Sequence, residues 1–171
     1  YYGSDGTNNG AFAGINRAVL PDKAFLNKVS MQDGTLQARV RIDGSSSADE
    51  AYIYFRMDSA LNNGFAVKLN RSKAFYLYKM TGGSVSSTLS SVADLSTLIS
   101  GYDPKQYHTV RIELAASVIN IYIDNTLVSK TTNLSYYGSG YACAGVGIAN
   151  LSAPAWFDDI TVTILDRQSF S

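Results

Sequence analysis

Apolar and polar residues alternate along most of this chain with a period of two. Residues 35–42, TLQARVRI, put Leu36, Ala38, Val40 and Ile42 on one side and Thr35, Gln37, Arg39 and Arg41 on the other. A half-buried strand requires this pattern, because its successive side chains point to opposite faces. Residues 51–58 (AYIYFRMD) repeat it with Ile53, Phe55 and Met57 inward, and 64–70 (GFAVKLN) with Phe65, Val67 and Leu69 inward. Further strands are predicted over 73–80, 107–114, 118–123, 126–132, 140–149 and 156–164. Turns between them are supplied by Asn62-Asn63-Gly64, Asn70-Arg71-Ser72, Gly82-Gly83, Ala115-Ala116-Ser117 and Asp124-Asn125, since Gly, Asn and Asp tolerate positive φ. Ser96 to Ile99 reads as one helical turn, and nothing else reads as helix.

Strands at about ten-residue spacing, with hairpin chemistry between most of them, predict an all-β, two-sheet antiparallel β-sandwich. Residues 1–171 read as a single domain, with a loop-rich N-terminal part over 1–34 and a tail over 166–171.

Composition narrows the function. Lys and Arg together number 14, as do Asp and Glu, so the formal net charge is zero. The charged fraction of 16% lies below the roughly 25% of an average domain. Such a chain lacks the basic footprint of a nucleic-acid binder, and no apolar run reaches the roughly 18 residues of a membrane span. The single cysteine, Cys143, rules out an internal disulfide and a Cys-based metal cluster, and in the run ACAGVG it reads as an apolar filler. Twelve Tyr among abundant Ser, Thr, Asn and Gly is the composition of extracellular β domains. A secreted protein is therefore expected, its signal peptide removed or the domain cut from a longer chain.

The run GTLQARVRI, AYIYFRMD and NNGFAVKLN, with the later stretches YHTVRIELAASVINIYIDNTLV, YYGSGYACAGVGIA and AWFDDITV, resembles the concanavalin A-like, laminin G-like jelly rolls of bacterial carbohydrate-active proteins. The resemblance covers roughly residues 33–164 and is made of strand patterns. It implies a jelly roll and, by analogy, a carbohydrate-binding module, a lectin domain, a laminin G-like adhesion domain or a small jelly-roll enzyme.

An enzyme of this fold needs specific groups. A glycoside hydrolase needs two carboxylates about 5 Å apart for retention and further apart for inversion. The Glu-x-Asp-x-x-Glu strand motif is absent, and only Glu50 and Glu113 are glutamates. A lyase of this fold usually uses a His/Tyr pair, and His108, the one histidine, alternates onto the face of Val110 and Ile112 as a structural residue. Catalysis is therefore not expected.

Binding has better material. With Ile53, Phe55 and Met57 inward, Tyr52, Tyr54 and Arg56 point outward; Lys68 comes next on the neighbouring strand, and Tyr76 and Tyr78 on the one after. Sugars stack their C–H faces on aromatic rings while charged groups hydrogen-bond their hydroxyls. Tyr52, Tyr54, Arg56, Lys68, Tyr76 and Tyr78 are the expected polysaccharide site, in a module covalently linked to a secreted polysaccharide-degrading enzyme. Loop aromatics at Tyr1-Tyr2, Tyr102 and Tyr136-Tyr137 compete with this face, and Trp156 reads as core. Arg39, Arg41, Arg56 and Lys68 suggest acidic or terminal sugars. The resemblance also implies one structural Ca²⁺ at Asp158 and Asp159, with Asp33 or the loop Asp5 to Asn9 as partners, because Ca²⁺ takes six to eight oxygens.

Overall fold

The computed structural model describes residues 12–14, 23–25, 31–138, 140–149 and 155–165. Their strands are β1 (Phe12–Gly14), β2 (Lys23–Phe25), β3 (Gly34–Ile42), β4 (Glu50–Asp58), β5 (Gly64–Asn70) and β6 (Phe75–Thr81). They continue with β7 (Ser84–Val92), β8 (His108–Ala115), β9 (Val118–Ile123), β10 (Thr126–Thr132), β11 (Tyr141–Ala149) and β12 (Ala155–Ile164). The order β1-β12-β3-β8-β9-β10 makes one antiparallel sheet and β2-β11-β4-β5-β6-β7 the other. The protein is an all-β jelly-roll sandwich of concanavalin A type. The helical turn is a 3₁₀ turn at Leu95–Thr97, capped by the Asp94 side chain accepting from the Ser96 N–H.

The alternation places the core. Leu36, Val40, Val110, Ile112, Ile119 and Ile121 of the first sheet meet Ile53, Phe55, Phe65, Val67, Phe75 and Leu77 of the second, all buried. Each such side chain contributes about 1.5–3 kcal/mol on leaving water. Two-residue turns close the hairpins as expected: Asp124 and Asn125 carry φ of 48° and 65°, and Gly82 and Gly83 carry 60° and 80°, the handedness that matches strand twist.

Two elements differ from the alternation. β7, SVSSTLSSV, has no apolar periodicity and is mostly exposed; it forms by pairing with β6 at the edge of the second sheet. In β4 the alternation breaks at Arg56. Tyr54 opposes Gly145 and Met57 opposes Cys143, so Phe55 and Arg56 together face Ala144 alone. This is a β-bulge, with Arg56 at φ 46°. The extra residue reverses the facing of the strand beyond it. Arg56 turns inward and Met57 turns out beside Tyr54, the opposite of the sequence expectation for both.

Candidate functional site

Strand register assembles the outer face of the second sheet. Tyr52 of β4 lies opposite Lys68 of β5, and Lys68 lies opposite Tyr76 of β6. One step along, Tyr54 lies opposite Ala66, and Ala66 opposite Tyr78. Tyr52 and Tyr54 stack with ring centroids 5.9 Å apart, and Tyr76 and Tyr78 with centroids 5.5 Å apart. The structure thus brings together five of the six expected residues.

Their exposures differ. Tyr52, Lys68, Tyr76 and Tyr78 are half-buried, whereas Tyr54 is 2% exposed. Tyr54 packs with Met57, Ala66 and Met80 in a small second apolar cluster, joined by Leu61 and Cys143. Tyr54 is therefore the floor of this face and not a group presented to solvent, as alternation alone would have it. Gly145 and Gly147 of β11 lie opposite Tyr54 and Tyr52, so the two directly opposed positions carry no side chain.

The polar end of the face is organised by a residue outside the six expected ones. Glu50, the first residue of β4, accepts from the Lys68 ammonium through Oε1 at 2.7 Å and from the Tyr52 hydroxyl through Oε2 at 2.7 Å. The Lys68 Nζ also sits 4.7 Å from the Tyr76 ring centroid and 5.6 Å from that of Tyr78, a cation–π arrangement. Burial opposes the Lys68 charge, but the Glu50 hydrogen bond and charge, with Tyr78 adding, hold its pKa above the ordinary lysine value. Burial first, and then the bond to Glu50, push the Tyr52 phenol upward; burial does the same for Tyr54. Continuing the alternation back to position 50 would have found Glu50, since Glu50, Tyr52 and Tyr54 share one parity.

Arg56 does not belong to this face. Its side chain is fully buried, with Nη2 3.2 Å from Asp33 Oδ1 and Nε donating to the Gln32 carbonyl at 2.9 Å. Asp33 also accepts from the Ala116 N–H at 2.7 Å and the Tyr137 hydroxyl at 2.9 Å. The pair ties β4 to the start of β3, to the β8–β9 turn and to the loop before β11.

The remaining aromatic candidates lie elsewhere. The Tyr137 hydroxyl is committed to Asp33, and the Tyr136 ring packs edge-on against Phe65. Tyr102 is buried against His108, whose Nδ1 lies 2.5 Å from Asp124 Oδ2 and whose Nε2 lies 2.8 Å from the Asp103 carbonyl. Trp156, expected in the core, lies on the outer face of the first sheet, where its Nε1 donates to Asp43 Oδ2 at 2.6 Å and Arg41 lies over its ring. Its neighbour Phe157 fills the core instead. Arg39 and Arg41 flank Tyr107 on that same outer face.

Asp158 and Asp159 sit at a bulge in β12, with Asp159 at φ 47°. Their Oδ2 atoms lie 3.6 and 3.3 Å from Arg39 Nη1. Among the described residues no group of three His, Cys, Asp or Glu side chains could hold a metal ion. The partners expected at Asp5 to Asn9, like Tyr1-Tyr2, lie outside the described residues. No described helix is long and apolar enough to cross a membrane.

Comparison with known proteins fits this architecture. The 3-keto-alpha-glucoside-1,2-lyase-like domain model matches residues 5–163, nearly the whole chain. The chain belongs to this family. None of the curated sequences compared with it is similar. Among solved structures, the carbohydrate binding module CBM66 from Bacillus subtilis superposes with a TM-score of 0.61 at 18% identity, over 79% of this chain and 77% of that one. The Caenorhabditis elegans galectin LEC-6 gives 0.55 at 10% identity, over 87% and 95%. A chain from work on endo-acting O-glycanases of the human gut microbiota gives 0.65 at 14% identity, over 92% and 80%. At these identities the likeness shows the shared jelly roll.

Proposed function

We propose that this domain binds a carbohydrate on the outer face of its second sheet and does not itself cleave it. The observation that carries this reading is the cross-strand row Tyr52–Lys68–Tyr76, with Glu50 bonded to both Tyr52 and Lys68. Aromatic rings beside directional donors and acceptors are what sugar recognition needs: apolar surface for C–H groups and partners for hydroxyls. The names of two similar structures, a carbohydrate binding module and a galectin, support the same class. In a secreted protein such a domain would hold a covalently linked polysaccharide-degrading enzyme at its polymer, raising local concentration by tethering.

A second reading rests on the family's description as lyase-like. A 1,2-elimination from a 3-keto glucoside removes the proton on C2, which the ketone acidifies, and expels the substituent on C1. On this face Glu50, beside Tyr52 and Lys68, is the group that could take that proton.

Affinity electrophoresis in polysaccharide gels, run beside product assays on polysaccharides and 3-keto glucosides, separates the two. Retardation with no reducing ends and no unsaturated product supports binding. Time-dependent product that Glu50→Gln abolishes would overturn the non-catalytic assignment.

A further inference from the structure

The outer face of the first sheet carries a second cross-strand row of the same make-up. Trp156 of β12 lies opposite Arg41 of β3. The Arg41 guanidinium carbon sits 5.6 Å from the Trp156 ring centroid and 5.0 Å from that of Tyr107, the residue just before β8. The Arg39 guanidinium carbon stands 4.5 Å from the centroid of the same tyrosine ring. Asp43 ties the row: its Oδ2 accepts from the Trp156 Nε1–H at 2.6 Å and from Arg41 Nη2 at 2.9 Å. On the second sheet Glu50 ties Tyr52 to Lys68 in the same way, and Lys68 lies over Tyr76. Both outer faces thus carry ring, cation and ring, with a carboxylate bonded to the first ring's polar atom and to the cation.

The first-sheet row presents a ring whose orientation is fixed. Trp156 is the chain's one tryptophan, and strand phase leaves it half-buried at the surface while Phe157 fills the core. Its N–H is bonded to Asp43, so the indole is held before any ligand arrives and binding has less left to order. One guanidinium covers one face of an indole at most. Asp43 and Arg41 keep 35% and 16% of their side-chain surface exposed, which sets an anionic acceptor and a cationic donor beside the ring. A sugar uses that combination: apolar surface for its C–H face and directional partners for its hydroxyls. The centre of a stable protein interface is depleted in charge, whereas here charged side chains stand between the rings, which favours a sugar over a second copy of the chain.

The outer faces of a sandwich point away from each other, with its two sheets about 10 Å apart. No single sugar ring reaches both rows. We infer that the Trp156–Arg41–Tyr107 row is a second carbohydrate site, so that one domain holds two segments of polysaccharide at once and cross-links the polymer. The ligand class rests on the carbohydrate-binding reading above; the second site and the cross-linking go beyond it.

The test uses mixed-linkage glucan, galactan, mannan, polygalacturonate and mucin as probes. Affinity electrophoresis selects the polymers that retard the wild-type domain, and light scattering then reads cross-linking, which a monomer with one site does not cause. The wild type should cross-link each selected polymer. Trp156→Ala and Tyr76→Ala should each abolish the scattering, keep some retardation and weaken binding at least about fivefold. The double variant should migrate as in a polymer-free gel. Tyr107→Ala repeats the first-sheet arm should Trp156→Ala fail to fold. A folded Trp156→Ala or Tyr107→Ala variant that cross-links as the wild type does overturns the second site and leaves the carbohydrate reading standing. A wild-type dimer in sedimentation that Trp156→Ala dissociates also overturns it, assigning this face to a second copy of the chain. Retardation by none of the five polymers removes the carbohydrate reading, and the second site with it.

Discussion

Arg56 and Asp33 meet inside the molecule, Nη2 3.2 Å from Oδ1, with the arginine side chain wholly buried. An arginine that alternation assigns to the ligand face is instead a structural tie. Removing one partner leaves the other charge buried, which costs about 3–5 kcal/mol. Arg56→Ala and Asp33→Ala should each lose that much unfolding free energy, read as a lower urea midpoint at an unchanged slope. Arg56→Lys should restore only part of it, because Nε and Nη2 serve different acceptors. Wild-type stability in Arg56→Ala would contradict this assignment.

Tyr54 and Tyr76 make a contrast. Tyr54 is floor, packed against Met57 and Ala66, so Tyr54→Ala should destabilise by about 3–5 kcal/mol, as should Phe55→Ala in the main core. Tyr76 is half-exposed. Tyr76→Ala should leave the melting temperature nearly unchanged and weaken glycan binding by about 1–3 kcal/mol. Equilibrium unfolding and calorimetric titration on the same preparations read both quantities.

Tyr137→Ala should behave as a stability variant, because its hydroxyl holds Asp33. The expected loss is about 1–3 kcal/mol from a buried acceptor deprived of a partner, with affinity for the glycan retained. Lost binding at full stability would move the site to the loop.

Gly64 stands directly after the Asn62-Asn63 turn, at φ 153°. A Cβ there would lie 2.4 Å from Met57 Sδ and 2.6 Å from the Arg56 carbonyl oxygen. The backbone contact cannot relax without shifting the bulge. Gly64→Ala should therefore cost about 2–4 kcal/mol, read as a drop in thermal midpoint, from strain and overpacking together.

The tyrosine face should also mark stability at high pH. Lys68, Tyr52 and Tyr54 all have folded-state pKa values raised above their ordinary ones. A raised value means that the stabilisation is fully present below the unfolded-state pKa and is lost as pH rises through the folded one. The unfolded values are about 10 for Tyr and about 10.4 for Lys. These groups should add no pH dependence from neutrality to about pH 10, and stability should fall above it. Tyr52→Phe should flatten part of that fall, measured as urea midpoints against pH. A fall that is unchanged in this variant would count against a Tyr52 phenol raised by burial and by its bond to Glu50.

Much of this protein was legible from its one-dimensional pattern. The strand residues that alternate, such as Leu36 to Ile42 and Val118 to Ile123, occupy the faces expected of them, because a pleated strand has no other way to place successive side chains. The Asp124-Asn125 and Gly82-Gly83 turns closed where positive φ was cheapest, whereas elsewhere Leu61, Lys73 and Ala116 took it. The parity that joins Tyr52, Tyr54, Lys68, Tyr76 and Tyr78 came from the same rule.

What the tertiary structure alone decided was register and burial. One extra residue at Phe55–Arg56 exchanged the facings of Arg56 and Met57, and periodicity carries no signal for a bulge because the partner strand creates it. Trp156 went outward and Phe157 inward once β12 paired with β3. Glu50 acquired its role only when β5 brought Lys68 across to it, from 18 residues away in the chain. Local sequence sets which way a side chain alternates; contacts between strands far apart in sequence set which charges meet, as Glu50 and Lys68 do here.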